Sequence, residues 1–311
     1  MCHFHHGAKL YDKRRNAPAG LSRRRAWTGL IAALALSGAM NVSAFAADPP
    51  QGVVGSATPR VGSRLAKKIV VIAHRGAHRE APENTLASLA KAIEIGCDFV
   101  EIDVRRTKDG ALVIMHDSSI NRMTNGKGKI EDLTLAQIRS FEVKSRHGAR
   151  WAGQKVPTFD EILDRAKGRM KIYVDHKQAP PAEVLAAINK HGMLHDVVVY
   201  GGIATLREYK KLAPDVWIMP GHPRSISAIE ALAHDLKPET LDGSIVEWTQ
   251  SQVEAAHRSG AQVWVDNRSD LDNEPGIKRA VELGVDAIQT DDPATVLRIL
   301  KAMGLRGEGG K

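Results

Sequence analysis

The chain has 311 residues and a formal net charge of +8, but the positive excess is concentrated at its amino terminus. Residues 1–46 hold seven of the 44 Lys and Arg and one of the 36 Asp and Glu, so the remainder carries 37 bases against 35 acids. This balance argues against a nucleic-acid partner, which needs a basic patch or stripe, and the single remaining cysteine, Cys97, excludes an internal disulfide.

The amino terminus has the pattern of an export signal. Three arginines at 23–25 precede an apolar stretch over about 27–39, and a small-x-small cleavage motif follows at 44–46. The stretch is shorter than the roughly 20 residues that span a bilayer. We therefore predict a signal peptide over residues 1–46, export to the periplasm or the exterior by the general secretory or twin-arginine route, and no stable membrane insertion after cleavage. A structural first helix is the alternative.

The rest of the chain divides by composition. Residues 47–66 are rich in Pro, Gly and Ser and predict a flexible linker. Residues 67–304 predict one folded domain, and residues 305–311 a disordered tail. Within the domain, residues 118–157 form the longest break in the regular pattern and predict an inserted lid at its functional end.

Short β-branched runs alternate with helical patterns along this domain. Such alternation predicts parallel strand pairing with right-handed crossovers, and eight strands indicate a (β/α)8 TIM barrel. A doubly wound open sheet is the alternative. The predicted strands are 69–73, 99–104, 171–175, 197–200, 216–219, 244–248, 262–266 and 287–290, and the predicted helices are 180–191, 204–212, 225–236, 250–258, 275–283 and 293–303, with an earlier one capped by Asn84 or Thr85.

One apolar run breaks the alternation. Only six residues separate it from the second strand, too few for a helical crossover, and they end in Asp109-Gly110, which is typical of a type I′ hairpin turn. Residues 111–116 are therefore predicted to fold back antiparallel as a hairpin extension of the second strand. This register places His116 opposite Asp103, or opposite Glu101 after a slip of two residues.

Polar side chains that could catalyse a reaction or bind a metal lie in or next to three of these runs. His74 follows the first strand and His116 ends the hairpin, while Glu101 and Asp103 lie two residues apart on the second strand and share a face. Neighbouring carboxylates repel unless a cation lies between them, and hard divalent ions prefer carboxylate oxygens, so we predict Ca²⁺ or Mg²⁺. Two imidazoles beside such a site supply the acid and base of a phosphoester hydrolase.

The segment Tyr173-Val174-Asp175-His176-Lys177 offers a third metal ligand. By strand parity Asp175 and Lys177 face one side and His176 the other, so His176 is interpreted as a packing residue. His222, which follows the predicted strand at 216–219, is kept as a candidate functional residue, whereas His78 and the remaining histidines are interpreted as ordinary surface or packing residues.

These motifs together resemble the glycerophosphodiester phosphodiesterase family. The resemblance rests on Ile72-Ala73-His74-Arg75-Gly76, Pro82-Glu83-Asn84-Thr85, Val100-Glu101-Ile102-Asp103-Val104 and Met115-His116-Asp117. It continues through residues 122–126 and 156–161, Trp264 with Asn267, and residues 290–293, and covers about 69–300.

The resemblance implies a metal-dependent hydrolase that cleaves small-molecule glycerophosphodiesters to sn-glycerol 3-phosphate and an alcohol. The residue roles that it implies are the following: general acid and base, His74 and His116; metal ligands, Glu101, Asp103 and Asp175; phosphate binding, Arg75 and Lys177; a position that orients Arg75 or joins the metal shell, Glu83. Trp264 is predicted to line the substrate pocket, with core packing as the alternative.

The chain departs from the family in two places. Glu is usual where Asp175 stands, which puts the metal distance in question, and Ser-Phe is frequent where this chain has Tyr200-Gly201, which leaves substrate preference open. A lysophospholipase D-like hydrolase and a non-catalytic binding protein of the same fold are the alternative functions. The sequence leaves open the alcohol head group, which histidine is the acid, and whether water or the glycerol 2-hydroxyl is the nucleophile.

Overall fold

The computed structural model describes residues 68–267 and 271–306. The predicted signal peptide, the predicted linker and residues 307–311 of the predicted tail lie outside the described residues. The first two residues of the tail, Leu305 and Arg306, were predicted to be disordered but contact the folded domain. Leu305 packs against the core, and the Arg306 guanidinium donates to the Ile69 carbonyl at 3.2 Å and to the Asp98 carboxylate. The folded domain therefore extends to Arg306.

Strands and helices alternate along nearly the whole domain. The strands are β1 (Val70–Ala73), β2 (Phe99–Arg106), β3 (Leu112–Ile114), β4 (Lys171–Gln178), β5 (Val197–Tyr200), β6 (Trp217–Met219), β7 (Thr240–Ser244), β8 (Gln262–Asp266) and β9 (Ala287–Thr290). The helices are α1 (Leu86–Ile95), α2 (Leu135–Ser140), α3 (Phe159–Ala166), α4 (Pro181–Lys190), α5 (Ile203–Leu212), α6 (Ile226–Asp235), α7 (Gln250–Arg258), α8 (Glu274–Leu283) and α9 (Pro293–Ala302).

The eight strands other than β3 are parallel and form a nearly closed barrel. Their order is β6-β5-β4-β2-β1-β9-β8-β7, with β3 paired antiparallel to β2. The two outer strands meet where the Asp242 N–H donates to the Pro220 carbonyl at 3.0 Å. The first and last strands of the list therefore lie side by side, which confirms the (β/α)8 barrel and rules out the open sheet.

Apolar side chains fill two layers. The larger layer lies between the barrel and its surrounding helices, and the smaller one fills the barrel interior with Ile72, Phe99, Tyr173, Val198, Met219, Trp264 and Ala287. Large side chains inside a barrel make it a packed core, so its chemistry is confined to the strand ends. No helix within the described part of the chain is long and apolar enough to cross a membrane.

The seventh strand differs from its prediction. It spans residues 240–244, whereas the sequence predicted residues 244–248. Ile245 and Trp248 supply the apolar pattern that suggested a strand, but they are core residues that follow it. Position 243 in this strand requires a glycine, because a Cβ there would lie 2.8 Å from Trp248 Nε1 and 2.9 Å from His222 Cβ. Gly243 is thus a site of close packing between β7, Trp248 and His222.

The β2–β3 hairpin forms, but its turn and register differ from those predicted. A hydrogen bond of 2.9 Å between Thr107 and Ala111 closes a three-residue loop in which Gly110 has φ +87°. The longer loop shifts the register by one, so the Asp103 carbonyl accepts from the Met115 N–H at 2.9 Å. Asp103 therefore lies opposite Met115, and His116 follows it.

The insertion at 118–157 forms an apolar cluster with the hairpin, separate from the core of the barrel. Its buried members are Val113, Met115, Ile120, Met123, Ile130, Ile138, Val143 and Val156. Helix α2 inside it begins with a capping box between Thr134 and Gln137. The insertion is thus a small folded unit attached to β3, and its closure as a lid stays a prediction.

Gly76 fixes the path of the chain from β1 into α1. Its φ is +81°, and a Cβ at this position would lie 2.4 Å from Ser88 Oγ and 2.8 Å from the Ser88 carbonyl carbon. Ser88 completes the capping box of α1 with Thr85. The left-handed backbone and the contact with the first turn of α1 both require a residue without a side chain.

We predict that Gly76→Ala lowers the free energy of unfolding by about 3 kcal/mol or more, because it adds overpacking to left-handed strain. The control is Gly96→Ala at the end of α1, where φ is +88° but no atom lies within 4 Å of the added Cβ. The control should lose only about 1–2 kcal/mol. Urea unfolding measures both values, and equal losses would contradict the crowding at Gly76.

Candidate active site

The candidate site lies where four neighbouring barrel strands reach their carboxyl ends. Loops and strand ends of parallel barrels carry the functional side chains, because every strand there points the same way. β1 leads into His74 and Arg75, β2 carries Glu101 and Asp103, β4 carries Asp175 and Lys177, and β9 leads into Asp291. In the β2–β4 ladder Asp103 and Asp175 are direct partners.

Three carboxylates converge at the centre of the site. One oxygen from each of Glu101, Asp103 and Asp175 lies within 4.8 Å of the others. Glu101 and Asp103 are 2% and 1% exposed, so water cannot solvate their charges. Burial, reinforced by the charges of Asp103 and Asp175, raises the pKa of Glu101 well above its usual value. The cluster therefore demands a compensating positive charge.

Two cationic side chains supply part of that charge. Lys177 Nζ lies 2.5 Å from Asp175 Oδ2 and 3.2 Å from Asp103 Oδ1, and Arg75 Nε lies 3.7 Å from Asp103 Oδ2. Although burial alone would lower it, the charges of Asp103 and Asp175 raise the pKa of Lys177. Lys177 therefore stays charged beside the carboxylates.

Backbone and amide groups hold the carboxylates in place. The Arg75 N–H donates to Glu101 Oε2 at 2.7 Å, and Asn84 Nδ2 donates to Asp103 Oδ2 at 2.6 Å. Arg75 and Asn84 have φ values of +53° and +55°, which non-glycine residues rarely adopt. Asn84 was predicted as a possible helix cap, but Thr85 caps α1 and Asn84 faces the site. Strained backbone at two site residues is typical of functional sites.

The donor set fits a hard divalent cation. Asp103 Oδ1 is buried and contacts Lys177 Nζ at 3.2 Å, and because a carboxylate oxygen has two lone pairs, one of them remains available to a metal ion. All three ligands are carboxylate oxygens, which Ca²⁺ and Mg²⁺ prefer. Asp175 reaches the cluster although it is one methylene shorter than the glutamate usual in the family.

His74 is oriented by Asp291. Its Nδ1 lies 2.6 Å from Asp291 Oδ1, and its Nε2 lies 4.0 Å from Glu101 Oε2. Because a carboxylate only accepts, Nδ1 carries the proton, and Nε2 is the nitrogen turned toward the carboxylate cluster. His78 Nε2 contacts the same Asp291 oxygen at 2.9 Å. Although burial opposes it, the hydrogen bonds from both histidines hold the pKa of Asp291 well below its usual range.

His116 is oriented by a second carboxylate, Asp117, whose Oδ1 lies 2.9 Å from His116 Nδ1. Hydrogen bonds from Arg122 hold the pKa of Asp117 well below its usual range. His116 directly follows Met115, whose N–H donates to the Asp103 carbonyl at 2.9 Å, so this imidazole lies at the end of the hairpin next to the strand that carries Glu101 and Asp103. The two histidines approach the cluster from β1 and from the end of the hairpin.

A chain of ion pairs joins His116 to Arg75 through the insertion. Arg122 donates to Asp117 at 2.8 Å and to Glu83 at 2.7 Å, and Glu83 accepts from Arg75 at 3.1 Å. Burial alone would raise the pKa of Glu83, but hydrogen bonds from Arg122 and the charge of Arg75 lower it. Glu83 thus contacts Arg75, and both roles predicted for it, the orientation of Arg75 and a place in the metal shell, stay predictions.

Three other candidates lie away from the carboxylate cluster. Trp264 is 2% exposed in the barrel interior, edge-on to Phe99 at 4.9 Å, and its indole N–H donates to Gln262 at the start of β8. This position fits core packing and differs from the predicted substrate contact. His176 Nδ1 contacts the Tyr209 hydroxyl at 2.8 Å, as the packing interpretation expects, and His222 packs edge-on to Trp248 at 4.6 Å.

The sequence missed several residues of the site. His78 was interpreted as an ordinary surface residue, and neither Asp291 nor Arg122 was given a role. His74 and Asp291 are 217 positions apart, so only the adjacency of β1 and β9 brings them together. Two signals were available: Asp291 directly follows the last strand, at the end of the barrel that carries function, and both Asp291 and Arg122 lie in segments that carry the family resemblance.

Comparison with known proteins agrees with this geometry. The chain matches the model of the glycerophosphoryl diester phosphodiesterase family over residues 74–295. A glycerophosphodiester phosphodiesterase of Caldanaerobacter subterraneus subsp. tengcongensis is 30% identical over 248 residues, which cover 76% of this chain and 100% of that protein.

Solved structures give the same result. A phosphodiesterase of Oleispira antarctica in complex with the product sn-glycerol-3-phosphate has a TM-score of 0.68 at 26% identity, covering 75% of this chain and 97% of that one. A glycerophosphodiester phosphodiesterase of Agrobacterium tumefaciens has a TM-score of 0.67 at 26% identity, covering 74% and 99%.

Asp272 supports the loop that carries Asp291, and it titrates unusually. Its carboxylate accepts from the N–H groups of Asp291 and Asp292 at 2.9 and 3.1 Å, and burial raises its pKa to about 6. An unfolded Asp titrates at about 3.9. The folded protein therefore holds an extra proton between these values, so the contribution of Asp272 to stability is greatest below pH 4 and is lost as the pH rises through 6.

We predict that Asp272→Asn, which keeps the accepting oxygen, abolishes this loss. The free energy of unfolding of the wild type, minus that of the variant, should fall by about 2–3 kcal/mol between pH 4 and pH 7. Urea unfolding across this pH range measures the difference, and a difference that does not change with pH would show that the Asp272 carboxyl titrates normally.

Proposed function

This chain belongs to the glycerophosphoryl diester phosphodiesterase family and is a glycerophosphodiester phosphodiesterase, and we propose that it hydrolyses its substrate with a bound divalent cation and two histidines acting as general acid and base. The observation that carries this proposal is the pairing of each histidine with its own carboxylate at the edge of a buried three-carboxylate cluster. The proposed products are sn-glycerol 3-phosphate and an alcohol.

Glu101, Asp103 and Asp175 would hold the cation. A bound divalent ion would supply Lewis-acid neutralisation of the charge on the diester phosphate. Arg75 and Lys177 border the same carboxylates and would neutralise the remaining phosphate oxygens, with the planar guanidinium of Arg75 suited to contacting two of them. Glu83 and Arg122 would keep that guanidinium in one orientation.

Each histidine would transfer a proton through its Nε2, because its Nδ1 is hydrogen-bonded to a carboxylate. One imidazole takes the proton of the attacking hydroxyl, from water or from the glycerol 2-hydroxyl, as its oxygen bonds to phosphorus. The other, as imidazolium, gives its proton to the alcohol oxygen as the bond between that oxygen and phosphorus breaks. Asp291 and Asp117 stabilise the positive charge that each ring carries when protonated.

The insertion favours a water-soluble diester over a lysophospholipid. Most of its large apolar side chains are buried or half-buried in their own cluster, and the exposed large apolar residues among those described are Leu212, Ile226, Val246 and Met303, all outside it. An enzyme that takes substrates from a lipid surface needs an exposed apolar face near its site. The loop next to the catalytic residues does not offer one.

Removal of the metal should abolish activity and lower stability. We expect EDTA to reduce the release of sn-glycerol 3-phosphate from glycerophosphocholine by about 10²-fold or more, and added Ca²⁺, Mg²⁺ or Mn²⁺ to restore it. The same ions should raise the melting temperature of the wild type, since ligands that bind only the folded state stabilise it.

The control for metal binding compares two carboxylates. Glu101→Gln should lose the metal-induced rise in melting temperature, whereas Glu94→Gln, on the exposed side of α1, should keep it. Full turnover after exhaustive chelation would reject the metal from the mechanism.

Each histidine should be needed for turnover. His74→Ala and His116→Ala are each expected to lower kcat by about 10²-fold or more, because each removes one proton-transfer group. Asp291→Asn keeps the shape of its partner but removes the charge behind His74, and it should lower kcat with little change in KM. His195→Ala, an exposed histidine elsewhere on the barrel, is the control. Unchanged turnover in both alanine variants at His74 and His116 would reject their assignment.

A further inference from the structure

A small recess lined by basic side chains lies beside the proposed catalytic residues. It has a volume of about 180 Å³ and is lined by His78, Pro82, Glu83, Arg122, Met123, Lys144, Arg146 and His147. Two of its residues belong to the networks already described, since His78 contacts Asp291 and Glu83 contacts Arg75. The recess therefore begins one hydrogen bond away from the guanidinium proposed to hold the diester phosphate.

The charge of this recess is strongly one-sided. Three permanent cations, Arg122, Lys144 and Arg146, line it together with one carboxylate, Glu83. That carboxylate is already bonded to Arg75 and Arg122, so it does not neutralise the other two cations. Burial and the charge of Arg146 lower the pKa of His147, which is what a positive field does to an imidazole.

Lys144 and Arg146 have no carboxylate partner in the described part of the chain. Lys144 Nζ donates to the Asn121 carbonyl at 2.9 Å, and Arg146 Nη2 lies 3.3 Å from His78 Nδ1 and 3.4 Å from the His78 carbonyl. Within residues 68–267 and 271–306 no carboxylate lies within 4.0 Å of either cationic group, although Arg79 and Arg122 nearby both form ion pairs. Two cations held at one small recess without counter-charges favour an anionic ligand.

We propose that this recess binds an anionic substituent on the alcohol half of the substrate, a carboxylate or a second phosphate. The inference rests on the proposed function, which places the diester phosphate at Arg75, and it adds that the leaving alcohol lies on the side of His116 and the insertion. The preferred substrates are then glycerophosphodiesters whose alcohol carries a negative charge. Lys144 and Arg146 determine this specificity without taking part in bond breaking.

Two diesters that differ by a single carboxylate test the inference. Glycerophosphoserine is glycerophosphoethanolamine with one added carboxylate, so the ratio of their kcat/KM values isolates its contribution. We expect the wild type to favour the serine diester, and Arg146→Gln and Lys144→Gln each to lower the ratio about tenfold, the value of one hydrogen bond to a charged group. The preference should also weaken as NaCl is raised, because salt screens exposed charges.

Arg150→Gln is the matched control. Arg150 lies on the same insertion, but it donates to the Glu80 carbonyl at 2.9 Å, stacks on Trp151 and does not line the recess. It should leave the ratio unchanged, and it reports whether any loss of charge from the insertion has the same effect. Thermal melting of all variants separates misfolding from altered specificity, and the ratio is independent of the fraction of active enzyme.

The outcomes are distinct. A wild-type ratio at or below one, or a ratio that neither Arg146→Gln nor Lys144→Gln lowers, overturns this inference while leaving the proposed function intact. A fall of the same size in Arg150→Gln also overturns it, since the effect would then be long-range electrostatics. Hydrolysis of neither diester by the wild type, under conditions in which the metal is supplied, would overturn the proposed function and this inference together.

Discussion

Three negative charges held together out of water are the constraint on which the rest of the site depends. Asp103 and Asp175 are forced side by side by the β2–β4 register, and Glu101 lies two residues away on the same face. Such a cluster is unfavourable unless cations surround it. That requirement accounts for the ammonium of Lys177 and for the proposed binding site of a divalent ion. The strained backbone at Arg75 and Asn84 places donors against the same carboxylates.

The histidines are attached to this centre by two networks of different origin. His74 is positioned within the barrel, because the β1–β9 pairing brings Asp291 beside it and Asp272 holds the Asp291 loop. His116 is positioned by the insertion, since Asp117 is held by Arg122 and Arg122 also grips Glu83. One of the two proposed proton-transfer groups is therefore held by the barrel, whereas the other is held by a segment outside the barrel strands.

That division gives the insertion a part in both chemistry and specificity. Through Arg122 and Glu83 it contacts Arg75, the proposed phosphate-binding residue, and it brings Lys144 and Arg146 to the edge of the site. Its own apolar cluster keeps it folded without drawing on the barrel core. Substrate preference can thus change through the insertion while the carboxylate cluster and its strands stay the same, as is general for barrel enzymes.

The features that sequence could predict are those with a local period. The alternation of strands and helices gave the barrel, and the spacing of two between Glu101 and Asp103, and between Asp175 and Lys177, gave their shared faces. Features that depend on packing were missed. Strand β7 covers residues 240–244, whereas the apolar pattern of Ile245 and Trp248, which suggested a strand over 244–248, belongs to core residues that follow it. Two-residue and three-residue hairpin loops look alike in sequence, so the register at His116 was wrong by one.

Long-range partners were beyond the reach of local patterns. Asp291 and Arg122 act on residues that are remote along the chain, and nothing in their own neighbourhood indicates which histidine or carboxylate they contact. Trp264 shows the opposite error, since an aromatic residue in a matching motif suggested a substrate contact but lies in the packed interior of the barrel.

The position of a bound metal ion tests the central claim most directly. A crystal grown with Mn²⁺ should show an anomalous scattering peak coordinated by Glu101, Asp103 and Asp175, which are the only all-carboxylate group of potential ligands in the described part of the chain. A peak bound instead by His74, His78 and Asp291, which also lie close enough to share an ion, would contradict the account, as would the absence of any peak at the carboxylates.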